Sequence, residues 1–300
     1  MINYSFIIPH HNVPELLNRL LGSIPQREDI EVIVVDDNSD EDKKPQIDRP
    51  DTHVIFIPAE ESKGAGHARN VGMDQATGKW LIFADSDDKY IESAISTWDR
   101  YKDSDVDIVF WCAVMCNYDD VHHKVIDYDK HNYLDKITDE YLNSPKSITD
   151  IHRMAMRSCF PWNKMINRNF VLSIGARFEE VPIHNDAWFS DYIGSKASKI
   201  EVTKDKIYCY YKYPNNTTNK KRPINHYYIM VKTCKKVNRL FIDNGLMQFA
   251  FFPGFNSKYV IRDFGLFSLV KLYMYKFIYD PMTLIIICYK ITRRLLNYKK

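Results

Sequence analysis

The sequence predicts an α/β fold with a mostly parallel sheet covered by helices on both faces. Through the first 115 residues, short and nearly continuous apolar segments alternate with amphipathic ones. Strands buried on both faces and their covering helices have this pattern. In addition, acidic clusters directly follow two of the apolar segments, at the carboxyl ends of strands where open α/β sheets bind ligands.

Five strands and three helices are predicted along this first part. Residues 4–8 form the first strand, which Pro9 ends because proline cannot donate to a sheet. The leucine spacing over residues 16–24 predicts a helix with Asn12 as its N-cap. Further strands are predicted at 30–35, 54–57, 80–84 and 107–111, and further helices at 65–76 and 91–101.

The pattern changes after residue 115. Residues 116–146 are polar and irregular, which predicts loops with short helices. We predict one α/β domain over residues 1–215, with halves that meet near residue 115, and a helical C-terminal extension over residues 216–300. The second half is assigned helices at 168–174 and 186–196, one or two strands over 199–213, and a loop at 214–223.

Composition and charge exclude several classes of protein. The chain has 41 Lys and Arg against 39 Asp and Glu, a net charge of +2, whereas nucleic-acid-binding proteins usually carry a strong basic excess. No apolar run reaches eighteen residues, which argues against a polytopic membrane protein. Scattered cysteines and the lack of a signal-peptide pattern predict a cytoplasmic location.

Asp85 and Asp87 flank Ser86 at the end of a predicted strand. Carboxylates two residues apart lie on one side of an extended segment, and both stay ionised only beside positive charge. Mg²⁺ or Mn²⁺, shared with substrate phosphates, would supply that charge. The alternative is an acidic turn in which Asp87 or Asp88 caps the following helix.

Two further segments have the composition of a nucleotide site. Asp37, which follows the second strand, can accept hydrogen bonds from a base or a ribose, although taken alone this segment is better explained as a turn or helix cap. Residues 63–70 open a helix, and their glycines, with Lys63 and Arg69, favour a nearby anion. A solvated loop is the alternative for this segment.

Taken together, these segments resemble the inverting family-two glycosyltransferases of the GT-A fold. The resemblance covers residues 1–215 and rests on the stretches IIPHHN at 7–12, VVDDNS at 34–39, GAGHARNVG to ADSDD at 64–88, FPWNKMINR at 160–168 and HNDAWF at 184–189. It implies a Rossmann-like sheet whose first half, 1–115, binds a nucleotide sugar. The second half, 116–215, would bind the acceptor.

The resemblance also implies roles for individual residues. Asp87 would hold the divalent metal, and Asp186 would be the catalytic base, although Asn185 stands where the family usually has Glu. The alternative for Asp186 is an acidic residue near a helix N-terminus, stabilised by the helix dipole. For Trp162 and Trp188 the alternative is packing in the protein core. The implied nucleotide-sugar contacts are Pro9, Asn12, Asp37, Gly66, Arg69, Asp85 and Ser86, and the implied acceptor contacts are Trp162, Lys164 and Trp188.

The C-terminal tail is basic and aromatic. Residues 271–300 contain seven basic residues and one acid, a net charge of +6. The apolar run at 282–289 is about half the length of a bilayer span. We predict that residues 256–300 contact the inner face of the plasma membrane peripherally; packing on the body of the protein or on a second subunit of a homo-oligomer is the alternative. The 214–223 loop is either a lid over the diphosphate or a basic linker.

The function predicted from these features is metal-dependent, inverting transfer of a sugar from a UDP-sugar to a glycan or lipid-linked glycan. Surface polysaccharide synthesis (capsule, lipopolysaccharide or O-antigen) is the expected setting. One alternative is a catalytically silent homologue that binds glycan or acts as a scaffold. A sugar nucleotidyltransferase is the other, but residues 7–12 lack the Gly-rich, basic loop that such enzymes use.

Overall fold

The computed structural model describes residues 1–47, 49–119, 124–129, 131–213, 223–251 and 257–297. The chain divides into two compact units, Met1–Lys220 and Lys221–Lys300. The boundary predicted at residues 215/216 and the predicted lid, with Lys220, Lys221 and Arg222, fall outside the described residues.

The first unit contains one sheet with nine strands in its described part. In chain order these are β1 (Tyr4–His10), β2 (Ile30–Asp37), β3 (Thr52–Ile57), β4 (Trp80–Phe83), β5 (Lys89–Tyr90), β6 (Ile108–Asp119), β7 (Lys124–Asp129), β8 (Lys164–Asn167) and β9 (Ile200–Lys212).

Helices cover this sheet and make up the second unit. The first unit has α1 (Pro14–Leu21), α2 (Ala65–Gln75), α3 (Ala94–Tyr101), α4 (Tyr133–Leu142), α5 (Ile148–Arg157), α6 (Arg168–Ile174) and α7 (Asn185–Lys196). The second unit has α8 (Ile224–Asp243), α9 (Ser257–Phe264), α10 (Leu266–Tyr279) and α11 (Met282–Asn297). None of the helices in the described part combines the length and the apolar character needed to cross a bilayer.

The strand order is β3-β2-β1-β4-β8-β6-β9-β5, with β7 added to β6. Strands β3, β2, β1 and β4 are parallel, and so are β6 and β9. Strand β8 runs antiparallel between β4 and β6, and β5 and β7 are also antiparallel to their partners. The mostly parallel sheet predicted from the sequence is confirmed, and the carboxyl ends of β1, β2 and β4 meet at one edge.

Two predictions at the start of the chain need correction. Pro9 does not end β1 but pairs in register with Val35. The side of β1 that faces β4 is paired only up to Ile7, so the missing N–H of Pro9 costs no sheet hydrogen bond. Helix α1 begins at Pro14 with Val13 as N-cap, whereas Asn12 has a left-handed backbone with φ of 60°.

The segment predicted as loops with short helices is more regular than expected. Strand β6 continues to Asp119 and pairs with β7 in an antiparallel hairpin. Helix α4 then begins with a capping box formed by Asn132 and Asp135. The predicted helices at 168–174 and near 186–196 are confirmed, and residues 199–213 form the single strand β9.

A continuous group of buried aromatic side chains packs close to the ends of these strands. Phe6 and Tyr90 both pack edge-to-face on Trp98, with centroids 5.1 and 4.9 Å away. Tyr90 contacts Tyr208 at 5.0 Å, and Tyr208 stacks on Trp162 at 4.8 Å. Because these rings are close-packed, they hold the strand ends that carry the acidic residues in fixed positions.

Candidate active site

Asp37 is the last residue of β2 and is only 7% exposed. Its Oδ2 accepts a hydrogen bond of 2.8 Å from the Gly64 N–H. Its Oδ1 is buried and has no hydrogen-bond partner in the described part of the chain. A buried carboxylate oxygen without a donor is costly, so Asp37 is preset to accept a hydrogen bond from a ligand.

Hydrogen bonds hold the end of β1 and the loop after it against the end of β2 and its loop. Asp36 is buried between His10, whose Nδ1 lies 2.7 Å from Oδ1, and Ser39, whose Oγ donates to the same oxygen at 2.5 Å. Burial would raise the pKa of Asp36, but these two contacts outweigh it and hold the pKa below its ordinary value. Asn12 adds two more hydrogen bonds between these loops: its N–H donates to Ser39 Oγ and its Oδ1 accepts from the Asp40 N–H, both at 2.8 Å.

Three carboxylates follow β4 within four residues. Burial, together with repulsion from Asp85, raises the pKa of Asp87 to about 6. Asp88 is fully buried, and burial raises its pKa well above the ordinary value. Neither residue caps the next helix, because α3 begins at Ala94 with Ser93 as N-cap. Asp88 Oδ1 instead accepts from the Tyr211 N–H of β9 at 2.8 Å.

This acidic turn fits a divalent cation. Asp88 Oδ2 has no hydrogen-bond partner among the described residues, and burial together with repulsion from Asp85 makes an ionised Asp87 costly unless positive charge is added. Asp87 is the predicted protein ligand. No group of three or more His, Cys, Asp or Glu side chains in the described ranges is arranged to hold a metal, so phosphate oxygens of a substrate would have to complete such a site.

Arg69 joins the acidic turn to the helix that carries Asp186. Its guanidinium donates to Asp85 Oδ1 at 2.7 Å and to Asn185 Oδ1 at 2.9 Å, and the residue is only 6% exposed. Asn185 is the first residue of α7, and the half-buried Asp186 follows in its first turn. The departure from the family pattern at position 185 therefore leaves an oxygen that Arg69 can bind.

Gly66 lies where α2 meets the segment before α7. A Cβ at this position would lie 2.1 Å from the Glu179 carbonyl oxygen and 2.9 Å from Asn185 Cβ. Such distances are far below van der Waals contact, so close packing requires glycine here. Contact of Gly66 with a nucleotide remains a prediction, as does that of Ser86, which is 9% exposed.

The three predicted acceptor residues differ in their exposure. Lys164 is 1% exposed, and its Nζ donates to the carbonyl oxygens of Ser158 and Phe160. Burial lowers the pKa of this lysine to about 8. Trp162 is 2% exposed and is stacked between Phe160 and Tyr208. The structure therefore favours core packing for Trp162 and Lys164, which leaves Trp188 as the half-buried candidate for acceptor contact.

Sequence reasoning missed the group that fixes the backbone of Asp87. The Arg19 guanidinium, from α1, donates to the Asp87 carbonyl oxygen and to the Tyr213 hydroxyl. The Tyr213 hydroxyl donates to the same carbonyl at 3.0 Å, and the ring of Tyr211 lies 4.3 Å from the guanidinium carbon. These residues are far apart in the chain. In the sequence, Arg19 is only one basic residue among the leucines of a predicted helix, which gives no sign of a contact with Asp87.

Comparisons with known proteins identify the family of this chain. The family model described as "Glycosyl transferase family 2" matches residues 5–164. A Campylobacter jejuni GalNAc(5)-diNAcBac-PP-undecaprenol beta-1,3-glucosyltransferase is 34% identical over 103 residues, which are 32% of this chain and about a third (33%) of that protein. Streptococcus pneumoniae glycosyltransferase GlyG is 27% identical over 218 residues, 69% of each chain.

The likeness to solved structures concerns the fold. The Staphylococcus aureus TarS fragment 1–349 in complex with UDP-GlcNAc superimposes with a TM-score of 0.60 at 18% identity, covering 90% of this chain and 78% of that one. The order of strands, the acidic turn after β4 and the family match over more than half of the chain lead to one conclusion. The chain has the GT-A fold and belongs to glycosyl transferase family 2.

Proposed function

We propose that this protein is an inverting glycosyltransferase that moves a sugar from a UDP-sugar to a glycan or lipid-linked glycan during surface polysaccharide synthesis. One observation carries the proposal. Arg69 binds Asp85 of the acidic turn and Asn185 beside Asp186, so a donor bound at the turn would lie next to the proposed base. Family membership supports the reaction type. The name of the Campylobacter relative, which includes an undecaprenol-linked glycan, supports the acceptor class.

The donor nucleotide would lie along the edge formed by β1, β2 and β4. Asp37 Oδ1, which is buried and lacks a donor from the described residues, would accept the N–H of uracil beside the backbone of Pro9. A charge-assisted hydrogen bond of this kind is worth about 1.5–3 kcal/mol. Arg69 would add positive charge near the diphosphate, and Asp85 would contact the ribose or the sugar.

Asp87 would hold Mn²⁺ or Mg²⁺ at the diphosphate. When bound, the ion would neutralise the charge that develops on the departing UDP. The part that the protein itself supplies is the fixed position of the Asp87 backbone, held by Arg19 and Tyr213. A fixed turn keeps the carboxylates of Asp85 and Asp87 on one side and lowers the reorganisation needed when charge builds up.

Asp186 would accept the proton of the acceptor hydroxyl as that oxygen attacks the anomeric carbon. Attack from the face opposite the UDP inverts the anomeric centre, so an α-linked donor gives a β-linked product. General-base assistance of this kind is typically worth about 10²–10⁴-fold in rate. Trp188, half-buried and stacked on Tyr192 at 5.4 Å, could provide a face for an acceptor sugar.

The test is UDP release from a panel of UDP-sugars with Mn²⁺ or Mg²⁺, for the wild type and for Asp186→Asn. We expect Asp186→Asn to lower transfer by at least about 100-fold and to leave the affinity for UDP, measured by calorimetry, nearly unchanged. Asp139→Asn is the matched control and should keep full activity, because Asp139 lies on α4 in an exposed ion pair with Lys204 of β9. Loss of UDP affinity in Asp186→Asn would make its role structural, and a wild type that releases no UDP from any donor would identify a catalytically silent homologue.

A lipid-linked acceptor would bring the enzyme to a membrane. The proposal therefore includes a cytoplasmic protein with peripheral contact at the inner face of the plasma membrane through residues 256–300. A homo-oligomer remains a prediction, and no nucleic-acid partner is proposed because the overall charge is close to balance.

A further inference from the structure

Helix α10 is apolar on two faces. One face is buried in the second unit through Leu269 and Leu272, which are 8% and 0% exposed. A second set of large apolar side chains is exposed on the same helix: Leu266, Phe267, Val270, Met274 and Ile278, at 63%, 71%, 45%, 57% and 76%. Apolar side chains at such exposure are common singly, but a group on one helix is the usual mark of an interaction surface.

The five exposed side chains form one continuous face. With about 100° between successive residues of an α-helix, they fall within an arc of about 120°. Leu269, Leu272 and the buried Lys276 lie within about 60° on the opposite side of the helix. One side of α10 therefore packs into the unit while the other presents a stripe to solvent, which we call the α10 stripe.

The unit that carries the α10 stripe is strongly basic. The Lys271 ammonium lies 4.5 Å from the centre of the Phe267 ring. Helix α9, which packs on α10 within the same unit, exposes Lys258 and Arg262. Across residues 221–300 there are fifteen basic and three acidic residues, a net charge of +12 in a chain whose total is +2. The rest of the chain therefore carries −10.

We propose that the α10 stripe docks on an anionic phospholipid surface, with α10 lying in the interface. The stripe supplies apolar side chains for the acyl boundary, and the lysines and arginines of the second unit match anionic headgroups. A helix of 14 residues is about 21 Å long, which is shorter than a hydrocarbon core of about 30 Å, so it lies along the surface rather than across it.

The same charge disfavours a second copy of the chain as the occupant. Two units of net charge +12 repel one another when their basic faces meet, whereas an anionic membrane attracts each of them. The inference rests on the proposed function only for its purpose, which is to bring the transfer site to a lipid-linked acceptor. The binding itself is independent of donor, acceptor and catalysis.

The test is flotation of the full chain with vesicles of phosphatidylcholine alone or mixed with phosphatidylglycerol. We expect the wild type to float only with the anionic vesicles, and less so as salt is raised. The double variant Phe267→Glu with Ile278→Glu should lose at least about tenfold in partitioning, and it should fold normally because both side chains are more than 70% exposed. Ile148→Glu with Leu172→Glu, at exposed apolar positions of the first unit, is the matched control and should float like the wild type.

Three results would overturn the inference. One is a stripe variant that floats as well as the wild type. Another is equal binding of the wild type to neutral and anionic vesicles. The third is a wild-type dimer, seen by light scattering, that the stripe variant abolishes while no vesicle is bound. Flotation uses no sugar donor, so a protein that floats but transfers no sugar would overturn the proposed sugar transfer and leave this inference standing. An active protein that never floats would overturn this inference, together with the proposed membrane contact, and leave the sugar transfer standing.

Discussion

The acidic turn after β4 concentrates charge that folding alone does not favour. Asp85, Asp87 and Asp88 follow one another closely, and Arg69 binds only the first of them directly. Burial and mutual repulsion raise the pKa of Asp87 to about 6. Residues held in this way are typical of sites where a ligand supplies the missing charge. The turn is therefore the candidate metal site, and a bound cation would stabilise it.

We expect metal binding to weaken below pH 6. The metal must compete with the proton for Asp87, whose pKa is about 6, so affinity for Mn²⁺ should be about tenfold lower at pH 5 than at pH 7.5. Calorimetric titration of the metal with UDP present at both pH values measures this. The Asp87→Ala variant is the control, since it should bind metal weakly at both. Equal affinity of the wild type at pH 5 and 7.5 would remove Asp87 from the metal site.

Lower pH weakens metal binding but should stabilise the fold of the metal-free protein. The pKa of Asp87 is raised in the folded state, so the folded state holds this proton more tightly than the unfolded state does. The stability cost of this carboxyl is therefore absent below its unfolded pKa of about 4, grows as the pH rises from about 4 to 6, and is complete above that range. We expect Asp87→Asn to raise the melting temperature of metal-free protein by a few degrees at pH 7.5 and by about half as much at pH 5. Scanning calorimetry at both pH values with a chelator present measures this, and a lowered melting temperature at pH 7.5 would contradict the assignment.

The sequence identified the residues that belong to short motifs and missed those that act across the chain. Asp37, Arg69, Asp85 and Asp87 were found because each lies at a strand end or helix start. Arg19 was missed because its partners at Asp87 and Tyr213 are 68 and 194 positions away. The burial of Trp162 and Lys164 could not be told from composition, since a tryptophan beside a lysine is equally typical of a sugar-binding surface.

At the scale of elements, α2 holds the two sides of the site together. Near its N-terminus, the Gly64 N–H binds Asp37. Further along the helix, the Asn70 side chain pairs with both the N–H and the C=O of Phe178, at 2.9 and 3.0 Å. Lys63 also pairs with Glu180 at 2.9 Å. The segment that leads into α7 is therefore attached to α2 at several points, and this attachment sets where Asp186 lies.

Gly66→Ala should disturb this attachment selectively. The added Cβ would meet the Glu179 carbonyl at 2.1 Å, and the cost of such overpacking is typically about 1–3 kcal/mol of unfolding free energy. We expect transfer to fall more than UDP binding, because the displaced segment carries Asp186. Urea unfolding and a comparison of kcat with UDP affinity measure the two effects.

Gly22→Ala is the matched control for this change. Gly22 follows α1 with φ of −62°, and a Cβ there would have its nearest neighbour at 3.4 Å. The substitution should therefore alter stability by less than about 0.5 kcal/mol. If Gly66→Ala and Gly22→Ala behave alike, α2 does not set the position of the α7 segment.

Sequence patterns predicted some helices and strands well and missed others. The first 115 residues were assigned well because strands buried on both faces are nearly all apolar. The hairpin of β6 and β7 was missed because its distal part carries polar, exposed side chains, as Asp127 and Asp129 illustrate. The start of α4 did carry a signal, since Asn132 and Asp135 form a capping box.

At the scale of the whole molecule, charge and chemistry are divided between the two units. Every residue of the candidate active site lies in Met1–Lys220, which has its own apolar core. The α10 stripe and the basic excess lie in Lys221–Lys300, which has a separate buried cluster around Val231, Val260 and Leu272. The sequence predicted a basic tail from residue 271 onward, but the basic excess extends across the whole second unit.

This division predicts that the two activities can be separated. A chain ending at Lys220 should bind UDP in the presence of Mn²⁺ within about threefold of the full chain, a difference under about 1 kcal/mol, because all of the proposed ligands are retained. It should lose binding to anionic vesicles by at least about tenfold, because the stripe and the charge that attracts the headgroups are gone. Calorimetry with UDP and vesicle flotation measure the two results, and Asp37→Ala in the shortened chain shows whether the UDP signal comes from this site. A shortened chain that keeps its circular dichroism spectrum but no longer binds UDP would assign part of donor binding to residues beyond Lys220.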